Sequence, residues 1–349
     1  MKTLIIDWSP VAYGNLFGAT NYIKTDKYIQ VEKDQDGKYN LDKYKDIVIQ
    51  KIVEEIAGLR NKFNLSQDDE IIIATDTSTK EGYWRKDIWA GYKSKRKDQR
   101  DKSNIQWNKA FSLFQEILKK LDECTNLKVI QVPRTEGDDI IFVLSEYLQD
   151  KNDVIIYSSD HDFIQCINEN VKFWRTTRTQ GMENSKFYEA TEEEVKDEIL
   201  NHVIGGDPND GFYHIKSFSR FSENFLKEYP QMEGKELQAY PKRFQIDEMF
   251  KKKHSKTGEK VSAYNHPRFG YKTFKKGKKS LKEILKLNPI FEMNYKMNKT
   301  LALPENIPQE IKEKIINSYE RDHENDVGCF IEYLTEMGLF DLTSLVYLM

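Results

Sequence analysis

Long apolar runs are absent from this chain of 349 residues. Its most apolar stretches, such as "LIID" and "IIIATD", are much shorter than the roughly 20 residues that a bilayer-spanning helix needs, and the start "MKTLIIDW" has no apolar region like that of a signal peptide. Charged residues make up 32% of the chain, and the mean hydropathy is -0.73. We therefore expect a soluble protein that stays in the cytoplasm and has no membrane partner.

Cysteine is scarce as well, and its positions form no recognisable motif. Cys124, Cys166 and Cys329 are far apart, odd in number and without the CxxC or Cys/His spacing of a zinc site. We expect reduced thiols in the core, as suits a reducing cytoplasm. The phosphate-binding patterns GxGxxG and GxxxxGKS/T are also missing, which argues against a Rossmann dehydrogenase and a P-loop ATPase.

The net charge of -3 hides a strong segregation of charge along the chain. Between Arg85 and Lys109 nine Lys or Arg stand against three Asp, a net of +6. Between Lys251 and Lys282 twelve Lys or Arg stand against one Glu, a net of +11, which leaves -20 for the rest. Because local basic patches attract phosphates whatever the total charge, both patches predict contact with nucleic acid. Ordinary solvated faces remain the alternative.

Strands and helices alternate in the first half of the chain. Short runs rich in Ile and Val predict buried strands at 2–7, 70–75, 128–133 and 153–159. Apolar residues at helical spacing predict helices at 42–63, 105–122 and 136–149. This alternation predicts an α/β fold with a parallel central sheet flanked by helices.

The pattern changes after about residue 190 to helices and polar loops. The stretch "TEEEVKDEILNHVIGGD" predicts a capped helix that ends at glycines. The length suits two domains, and we predict an α/β domain at 1–190 and a helical region at 191–349. The lysine-rich segment 251–282 has little periodicity and is typical of a loop or of a segment that its ligand orders.

Acidic residues follow the predicted strands. Asp7, Asp76 and Asp160 end or follow a strand, and the carboxyl ends of parallel strands lie at one edge of a sheet, where ligand crevices form. The helix after the third strand points its acidic N-terminus at the same edge. Asp162 returns to the side of Asp160 if the chain stays extended. The predicted cluster therefore draws on four segments: Asp7, Asp76, Glu136, Asp138, Asp139, Asp160 and Asp162.

Like charges this close raise one another's pKa, and divalent cations relieve the repulsion. Oxygen ligands without nearby Cys or His favour Mg²⁺ or Mn²⁺ over zinc. Two such ions hydrolyse phosphodiesters when one activates water and the other neutralises the leaving oxygen. The alternative is structural, because acids also stabilise helix N-termini and end strands in turns.

The order of these motifs resembles the flap endonuclease or 5′ nuclease superfamily. Asp7 and Asp76 are followed by "TEGDDI", "SSDHDF" and "GGDPND", and "WRKDIWAGYKSKR" stands after the second acid. Within the superfamily the sequence is most similar to the ribonuclease H group of T-even bacteriophages, including the C-terminal "IFEMNYKMNKTLALPENIPQEIKEKIINSY". The resemblance implies a PIN-like nuclease domain, an arch over the active site at about 81–100, and a helix-three-turn-helix in the C-terminal region.

The resemblance also implies roles for single residues. Asp7, Asp76, Glu136, Asp138 and Asp160 would serve a first metal ion. Asp162, Asp207 and Asp210 would hold a second ion, largely through water, with Asp139 behind the ligands. In the arch, Arg85 and Lys93 would clamp the scissile phosphate. The ions are expected to be two Mg²⁺, for which Mn²⁺ substitutes.

Nucleic-acid contacts are expected elsewhere too. Gly205, Gly206 and Gly211 open the helix-three-turn-helix, where the family binds duplex backbone, sometimes with a monovalent cation. The basic residues expected to contact DNA are Lys95, Arg96, Lys252, Lys275 and Lys276. Four aromatic residues of the arch would line a single-strand passage or, alternatively, pack within a partly buried helix: Tyr83, Trp84, Trp89 and Tyr92.

The predicted function is that of a Mg²⁺-dependent 5′ to 3′ exonuclease and flap endonuclease that removes RNA primers during DNA replication. Its substrates would be RNA·DNA hybrids and duplex DNA with 5′ ends or flaps. The family implies a monomer that works with a single-stranded-DNA-binding protein and a sliding clamp, in the host cytoplasm if the chain is phage-encoded. The alternatives are a noncatalytic nucleic-acid-binding protein on the same fold and a PIN-type ribonuclease acting on single strands.

Overall fold

The computed structural model describes residues 1–26, 31–77, 82–94, 96–179, 182–183, 186–207, 210, 215, 251–253, 260–262, 281–286, 289–323 and 325–349. The strands in these ranges are β1 (Lys2–Asp7), β2 (Glu70–Ala74), β3 (Lys128–Ile130), β4 (Asp153–Ser158), β5 (Val171–Arg175), β6 (Arg178–Thr179), β7 (Met182–Glu183), β8 (Lys186–Tyr188), β9 (Lys251–Lys253) and β10 (Lys260–Ser262).

The α-helices are α1 (Trp8–Thr25), α2 (Lys45–Lys62), α3 (Arg85–Ile88), α4 (Arg96–Asp101), α5 (Trp107–Cys124), α6 (Gly137–Leu148), α7 (Glu192–Gly205), α8 (Leu281–Leu285), α9 (Pro289–Ala302), α10 (Gln309–Glu320) and α11 (Val327–Glu336). Short 3-10 helices lie at Leu41–Lys43, His161–Cys166, Pro304–Asn306 and Phe340–Leu348. Among these described helices none is long and apolar enough to cross a membrane.

A six-stranded sheet organises the α/β part of the chain. Its order is β3-β2-β1-β4-β5-β8, with β8 antiparallel to β5 and the other neighbours parallel. The central strand β1 buries Leu4, Ile5 and Ile6 completely, so both of its faces are covered. Burying each such side chain contributes about 1.5–3 kcal/mol, which explains why continuous apolar runs form the middle of the sheet.

The four predicted strands and three predicted helices are confirmed, with ends within three residues of those expected. Helix α1 and strands β5 and β8 were not predicted. Pro10 lies in the first turn of α1, where proline is tolerated. A proline followed by Gly14 and Gly18 is nevertheless not a typical helical sequence. Strand β5 alternates buried Val171 and Phe173 with exposed Lys172, because it lies near the edge of the sheet.

Contacts divide the chain into two compact units. The first comprises Met1–Trp84, Lys97–Ala190 and Ile307–Met349, and the second comprises Arg85–Arg96 and Thr191–Asn306. One division between the units lies after Ala190. The C-terminal segment belongs to the first unit, and Arg85–Arg96, most of the predicted arch, belongs to the second. The predicted domains 1–190 and 191–349 stay a prediction.

Specific bonds hold the C-terminal segment in the first unit. The Tyr319 hydroxyl donates to Glu70 at 2.7 Å, and the Arg60 guanidinium donates to the carbonyl oxygen of Leu348 at 2.8 Å. Cys124 of α5 and Cys329 of α11 form a disulfide, with a Cα–Cα distance of 5.5 Å. The expectation of three reduced thiols is therefore wrong for this pair, since 205 residues separate the two cysteines and only folding brings them together.

Helix α7 confirms the predicted capped helix of the second unit. Thr191 is its N-cap and accepts the N–H of Glu194 at 3.3 Å, while Gly206 ends it with φ +68°. A small apolar core forms around Ile204, Ile215 and Phe291. Gly211 of the predicted helix-three-turn-helix and most of segment 251–282 lie outside the described residues; of that segment, β9 and β10 pair as an antiparallel hairpin.

Candidate functional site

Asp7 occupies the end of the central strand and caps α1. Its carboxylate accepts the Ser158 hydroxyl at 2.6 Å and the Ser9 N–H at 3.2 Å. Only 5% of the residue is exposed. Since Ser158 ends the neighbouring strand β4, these bonds fix Asp7 at the carboxyl edge of the sheet, as predicted from its place in the sequence.

Asp76 connects the end of β2 to the start of α6. Its carboxylate accepts the Gly137 N–H at 2.8 Å and the Tyr83 hydroxyl at 3.3 Å. A Cβ atom on Gly137 would lie 3.3 Å from the carbonyl oxygen of Ala74 and 3.4 Å from the Asp76 carboxylate. The missing side chain at residue 137 thus allows the helix N-terminus to approach the carboxylate closely.

The three acids at the start of α6 have different surroundings. Glu136 is the N-cap and is buried, and Asp138 is half-buried. Asp139 is fully buried, and its carboxylate accepts the Trp84 indole N–H at 3.0 Å and the Glu136 N–H at 3.2 Å, as in a capping box. The Asp139 carboxylate therefore stabilises the start of the helix, and its role behind the metal ligands stays a prediction.

Asp160 and Asp162 follow β4 in a turn. The Asp160 N–H donates to the Ser158 hydroxyl oxygen at 3.0 Å, and the Asp162 N–H donates to the Asp160 carboxylate at 3.0 Å. This capping bond begins the 3-10 helix at His161–Cys166. The extended chain on which the expectation for Asp162 depended is absent, because Asp160 caps a helix there.

Carboxylates from three strands interact electrostatically at this edge. The pKa of Asp7 is raised from 3.8 to about 7, first because of burial and then because Asp160 and Asp76 repel its charge. The Ser158 hydrogen bond acts in the opposite direction. Asp76 and Asp160 are thus close enough to Asp7 to disfavour its ionisation.

This environment fits a divalent cation in its charge and donor atoms, because a cation would relieve the repulsion. The present side-chain positions fit less well. Among the described residues, no group of three or more His, Cys, Asp or Glu side chains is arranged to hold a metal ion. The carboxylates would have to turn toward an ion to coordinate it.

The acids predicted for a second ion belong to different units. Asp162 lies in the first unit, whereas Asp207 and Asp210 lie in the second. The Asp210 carboxylate pairs with Arg96 at 2.5 Å and with the Lys93 ammonium at 3.7 Å, and its carbonyl oxygen accepts the Lys93 N–H at 2.9 Å. Asp210 therefore pairs with one residue of the predicted phosphate clamp, Lys93, and with one predicted DNA-binding residue, Arg96.

The predicted phosphate clamp is packed inside the second unit. Arg85 is only 4% exposed, and its Nε donates to the carbonyl oxygen of Leu301 at 2.8 Å. The Lys93 side chain is 6% exposed, and its backbone has φ +52°. Both cations contact the ring of Tyr92, with centroid distances of 5.9 and 5.4 Å. In this structure the two side chains are held by protein groups.

The arch aromatics are buried, which favours the packing alternative over a stacking passage. All four are at most 7% exposed: Tyr83, Trp84, Trp89 and Tyr92. Among the remaining predicted contacts, Gly205 and Gly206 end α7, and Lys252 lies in β9. The others lie outside the described residues: Lys95, Gly211, Lys275 and Lys276.

The structure adds Ser158 to the site. Its hydroxyl donates to Asp7 and accepts from the Asp160 N–H, so one side chain joins two of the acids. The sequence signal is weak, because a serine at the end of an apolar run is common. Only the pairing of β1 with β4 brings this serine to Asp7.

A family model and curated proteins each match about half of the chain. Residues 19–199, more than half of the chain, match the 5′-3′ exonuclease N-terminal resolvase-like domain. The 5′-3′ exonuclease of Mycoplasmopsis pulmonis (strain UAB CTIP) is 28% identical over 167 residues, 47% of this chain and 53% of that protein. Ribonuclease H of Enterobacteria phage T4 is 27% identical over 154 residues, 44% of this chain and 48% of that protein. The chain spans about half the length of the curated relatives it matches.

Solved structures share the fold. A phage T5 protein co-crystallised with metal ions gives a TM-score of 0.52 at 13% identity, covering 92% of this chain and 99% of that chain. The T5 5′-exonuclease with bound zinc gives 0.51 at 12% identity, covering 99% and 100%. At such identities the likeness concerns the fold alone. The family match, the mostly parallel sheet and the acids at its carboxyl edge lead to one conclusion: this chain belongs to the 5′-3′ exonuclease family, within the 5′ nuclease superfamily.

Proposed function

We propose that the chain is a Mg²⁺-dependent, structure-specific 5′ nuclease that hydrolyses phosphodiester bonds from a 5′ end and at flap junctions. The observation that carries the proposal is the convergence of Asp7, Asp76 and Asp160 at the carboxyl edge of the sheet, where burial and the charges of Asp160 and Asp76 raise the pKa of Asp7. A fold gains no stability from such repulsion, so the arrangement is better explained by a cation than by structure. The crystallisation of the phage T5 relatives with metal ions supports the same interpretation.

The proposed ligands are those that the family resemblance implies. Asp7, Asp76, Glu136, Asp138 and Asp160 would hold one ion in the first unit. Asp162, Asp207 and Asp210 would hold the other ion. When bound, the two ions supply the activation of water and the neutralisation of charge on the leaving oxygen.

Hydrogen-bond donors of the chain hold the ligands ready. The Ser158 hydroxyl and Ser9 N–H orient Asp7, and the Gly137 N–H and Tyr83 hydroxyl orient Asp76. Donors aimed at a carboxylate also favour its ionised form, which is the form that binds a cation. Arg85 and Lys93 are proposed to contact the scissile phosphate once they exchange their protein partners for it.

The proposed substrates are duplex DNA and RNA·DNA hybrids with 5′ ends or flaps, and the proposed role is removal of RNA primers. The name ribonuclease H of the phage T4 relative supports action on RNA in a hybrid. A single-stranded-DNA-binding protein and a sliding clamp are proposed partners on the strength of the family alone.

Two variants test the metal assignment. We expect Asp138→Asn and Asp160→Asn to abolish cleavage of a labelled 5′-flap DNA in Mg²⁺ while binding of the same DNA in EDTA is unchanged. Asp150→Asn, an exposed acid at the far end of α6, is the matched control and should cleave like the wild type. Cleavage by either site variant at near the wild-type rate would show that the metal assignment is wrong.

The same assay separates the alternative functions. A noncatalytic binding protein would bind the flap DNA and cleave nothing in Mg²⁺ or Mn²⁺. A PIN-type single-strand ribonuclease would cleave a structured RNA in its loops and leave the flap DNA intact. The proposed 5′ nuclease cleaves the flap DNA and the RNA·DNA hybrid near their 5′ ends.

A further inference from the structure

Aromatic side chains of α1 and the start of α5 form a surface on the first unit. We call the four residues Tyr13, Phe17, Trp107 and Phe111 the ring patch. The Trp107 ring is central, with centroids 5.7 Å from Tyr13, 6.0 Å from Phe17 and 5.7 Å from Phe111. Two helices far apart in sequence therefore contribute to one continuous aromatic surface.

The ring patch is open to solvent. Phe17 is 46% exposed, and its three neighbours are half-buried. The indole N–H of Trp107 donates to the Ser103 hydroxyl at 2.6 Å, so the polar edge of this ring is engaged inside the protein. Single exposed apolar residues are ordinary, whereas four adjoining rings that all reach the solvent are typical of a binding surface.

Buried rings connect the ring patch with the carboxyl edge of the sheet. Helix α1 begins at Trp8, the residue after Asp7, and Trp8 packs edge-on against Phe114 at 6.2 Å. Phe114 in turn contacts Tyr13 at 5.9 Å. At 1.5 Å per residue, Phe17 lies about 15 Å along the helix from Asp7. A strand with a phosphate at Asp7 would reach the patch within a few nucleotides.

Cations flank the rings. The Arg100 guanidinium lies 5.2 Å from the centroid of Phe111. The ammonium groups of Lys24 and Lys33 lie 5.5 and 4.8 Å from the ring centroid of Tyr39. The Tyr39 N–H donates to the carbonyl oxygen of Asn104, which is three residues before Trp107 of the ring patch. Rings for bases beside cations for phosphates are the combination that binds single-stranded nucleic acid. Arg100 thus lies over a ring of the patch itself, and Lys24 and Lys33 lie over the neighbouring Tyr39.

We propose that the ring patch stacks the bases of an unpaired 5′ strand as that strand passes the acid edge. This inference rests on the proposed nuclease function and names where its single-stranded substrate lies. Because every base has a π-face, the binding would not depend on sequence. The patch would thereby favour flap substrates over blunt duplexes.

Phe17→Ala is the primary test, because the half-exposed ring can be removed without opening the core. Binding is measured in EDTA with a 5′-flap DNA that carries 2-aminopurine in the flap, and with a blunt duplex. We expect the wild type to quench the 2-aminopurine fluorescence on binding. The variant should lose the quenching and bind the flap DNA about tenfold more weakly, in line with ~1–3 kcal/mol for stacking one base. Its affinity for the blunt duplex should not change.

Two further variants separate stacking from packing. Phe17→Trp keeps an aromatic face and should retain the affinity for the flap DNA. Phe340→Ala removes a 63% exposed ring elsewhere on the first unit and should change nothing. The inference is overturned if the wild type does not quench 2-aminopurine, or if Phe17→Ala binds the flap DNA normally or loses flap and duplex binding alike. Failure of the wild type to cleave in Mg²⁺ would overturn the proposed function instead, since these binding measurements need no cleavage.

Discussion

At the scale of single residues, the proposed metal-binding role of Asp7 conflicts with the stability of the fold. Its carboxyl group is buried at the end of β1, near the charges of Asp160 and Asp76, and its pKa is raised to about 7. Between the unfolded value of 3.8 and the folded value, the folded protein retains a proton that the unfolded chain has released. The free energy of unfolding therefore falls as the pH rises through this window.

Asp7→Asn should remove this pH dependence. Asparagine still caps a helix and still accepts hydrogen bonds, but it carries no charge. In EDTA we expect the variant to have a higher Tm than the wild type at pH 8, with the difference shrinking toward pH 4. Thermal unfolding followed by circular dichroism measures this.

The control and the metal complete the experiment on Asp7. Asp150→Asn alters an exposed carboxylate, so its Tm difference from the wild type should not vary with pH in the same way. Mg²⁺ should raise the Tm of the wild type, because it binds only the folded state, and should raise that of Asp7→Asn less. A pH-independent difference between Asp7→Asn and the wild type would contradict the assignment.

A second point at the scale of residues is the competition between basic side chains and the proposed metal ion for the Asp210 carboxylate. Lys93 and Arg96 both pair with Asp210, a residue proposed as a metal ligand. The ammonium group of Lys93 and the guanidinium group of Arg96 neutralise the carboxylate that is proposed to bind the ion. The proposed roles of Lys93 and Asp210 are thus coupled, because an ion on Asp210 would compete with Lys93 for the same oxygens.

At the scale of elements, the N-terminus of α6 separates tasks among neighbouring acids. Asp138 is half-buried and is a proposed metal ligand, whereas Asp139 is fully buried and its carboxylate accepts the Trp84 indole N–H and the Glu136 N–H. The helix dipole favours negative charge at this terminus, so both carboxylates are tolerated there. Structural support and proposed chemistry therefore come from adjacent residues.

Alanine substitutions should distinguish the two tasks. Asp139→Ala leaves the buried indole N–H without its acceptor, and we expect the free energy of unfolding to fall by about 1–3 kcal/mol. Asp138→Ala should abolish cleavage and should lower the free energy of unfolding by less than Asp139→Ala does, because residue 138 is half-buried and residue 139 is fully buried. Urea unfolding and the flap assay measure the two effects. Asp139→Asn keeps an acceptor oxygen and should recover most of the stability; equal stability losses at the two positions would refute the division.

At the scale of the whole molecule, the C-terminal segment Ile307–Met349 packs with the rest of the first unit. The disulfide between Cys124 and Cys329, the Arg60–Leu348 bond and the Tyr319–Glu70 bond all join it to elements formed much earlier in the chain. A cross-link over 205 residues restricts the unfolded chain strongly, which raises stability.

Breaking the cross-link should destabilise the first unit. We expect Cys329→Ser, or treatment of the wild type with dithiothreitol, to lower the free energy of unfolding by about 2–5 kcal/mol. Urea unfolding with and without reductant measures this. Cys166→Ser is the control: burial raises the pKa of the Cys166 thiol to about 12, so this thiol is a poor nucleophile for disulfide exchange. A wild type whose stability does not respond to reductant would show that the disulfide contributes nothing.

Much of the fold was predictable because local signals agree with the global structure. The Ile- and Val-rich runs at β1, β2 and β4 are buried on both faces, so their apolar character is continuous and visible. Strand β5 alternates buried and exposed residues and is short, and α1 contains Pro10 in its first turn, so neither gave a clear pattern. These elements form because the sheet and its covering helices provide surfaces to pack against.

The sequence by itself determined the apolar strands, the acids that end them and the glycine at residue 137, since each of these is fixed by what a residue can do locally. Tertiary structure alone decided the strand order, which sets Ser158 against Asp7, and the pairing of Cys124 with Cys329. It also buried Arg85 and Lys93, in contrast to what the basic pattern indicated, and it left Phe17 exposed. The physical reason is that burial, cross-strand neighbours and repulsion between charges depend on residues far apart in the chain, and no local pattern specifies them.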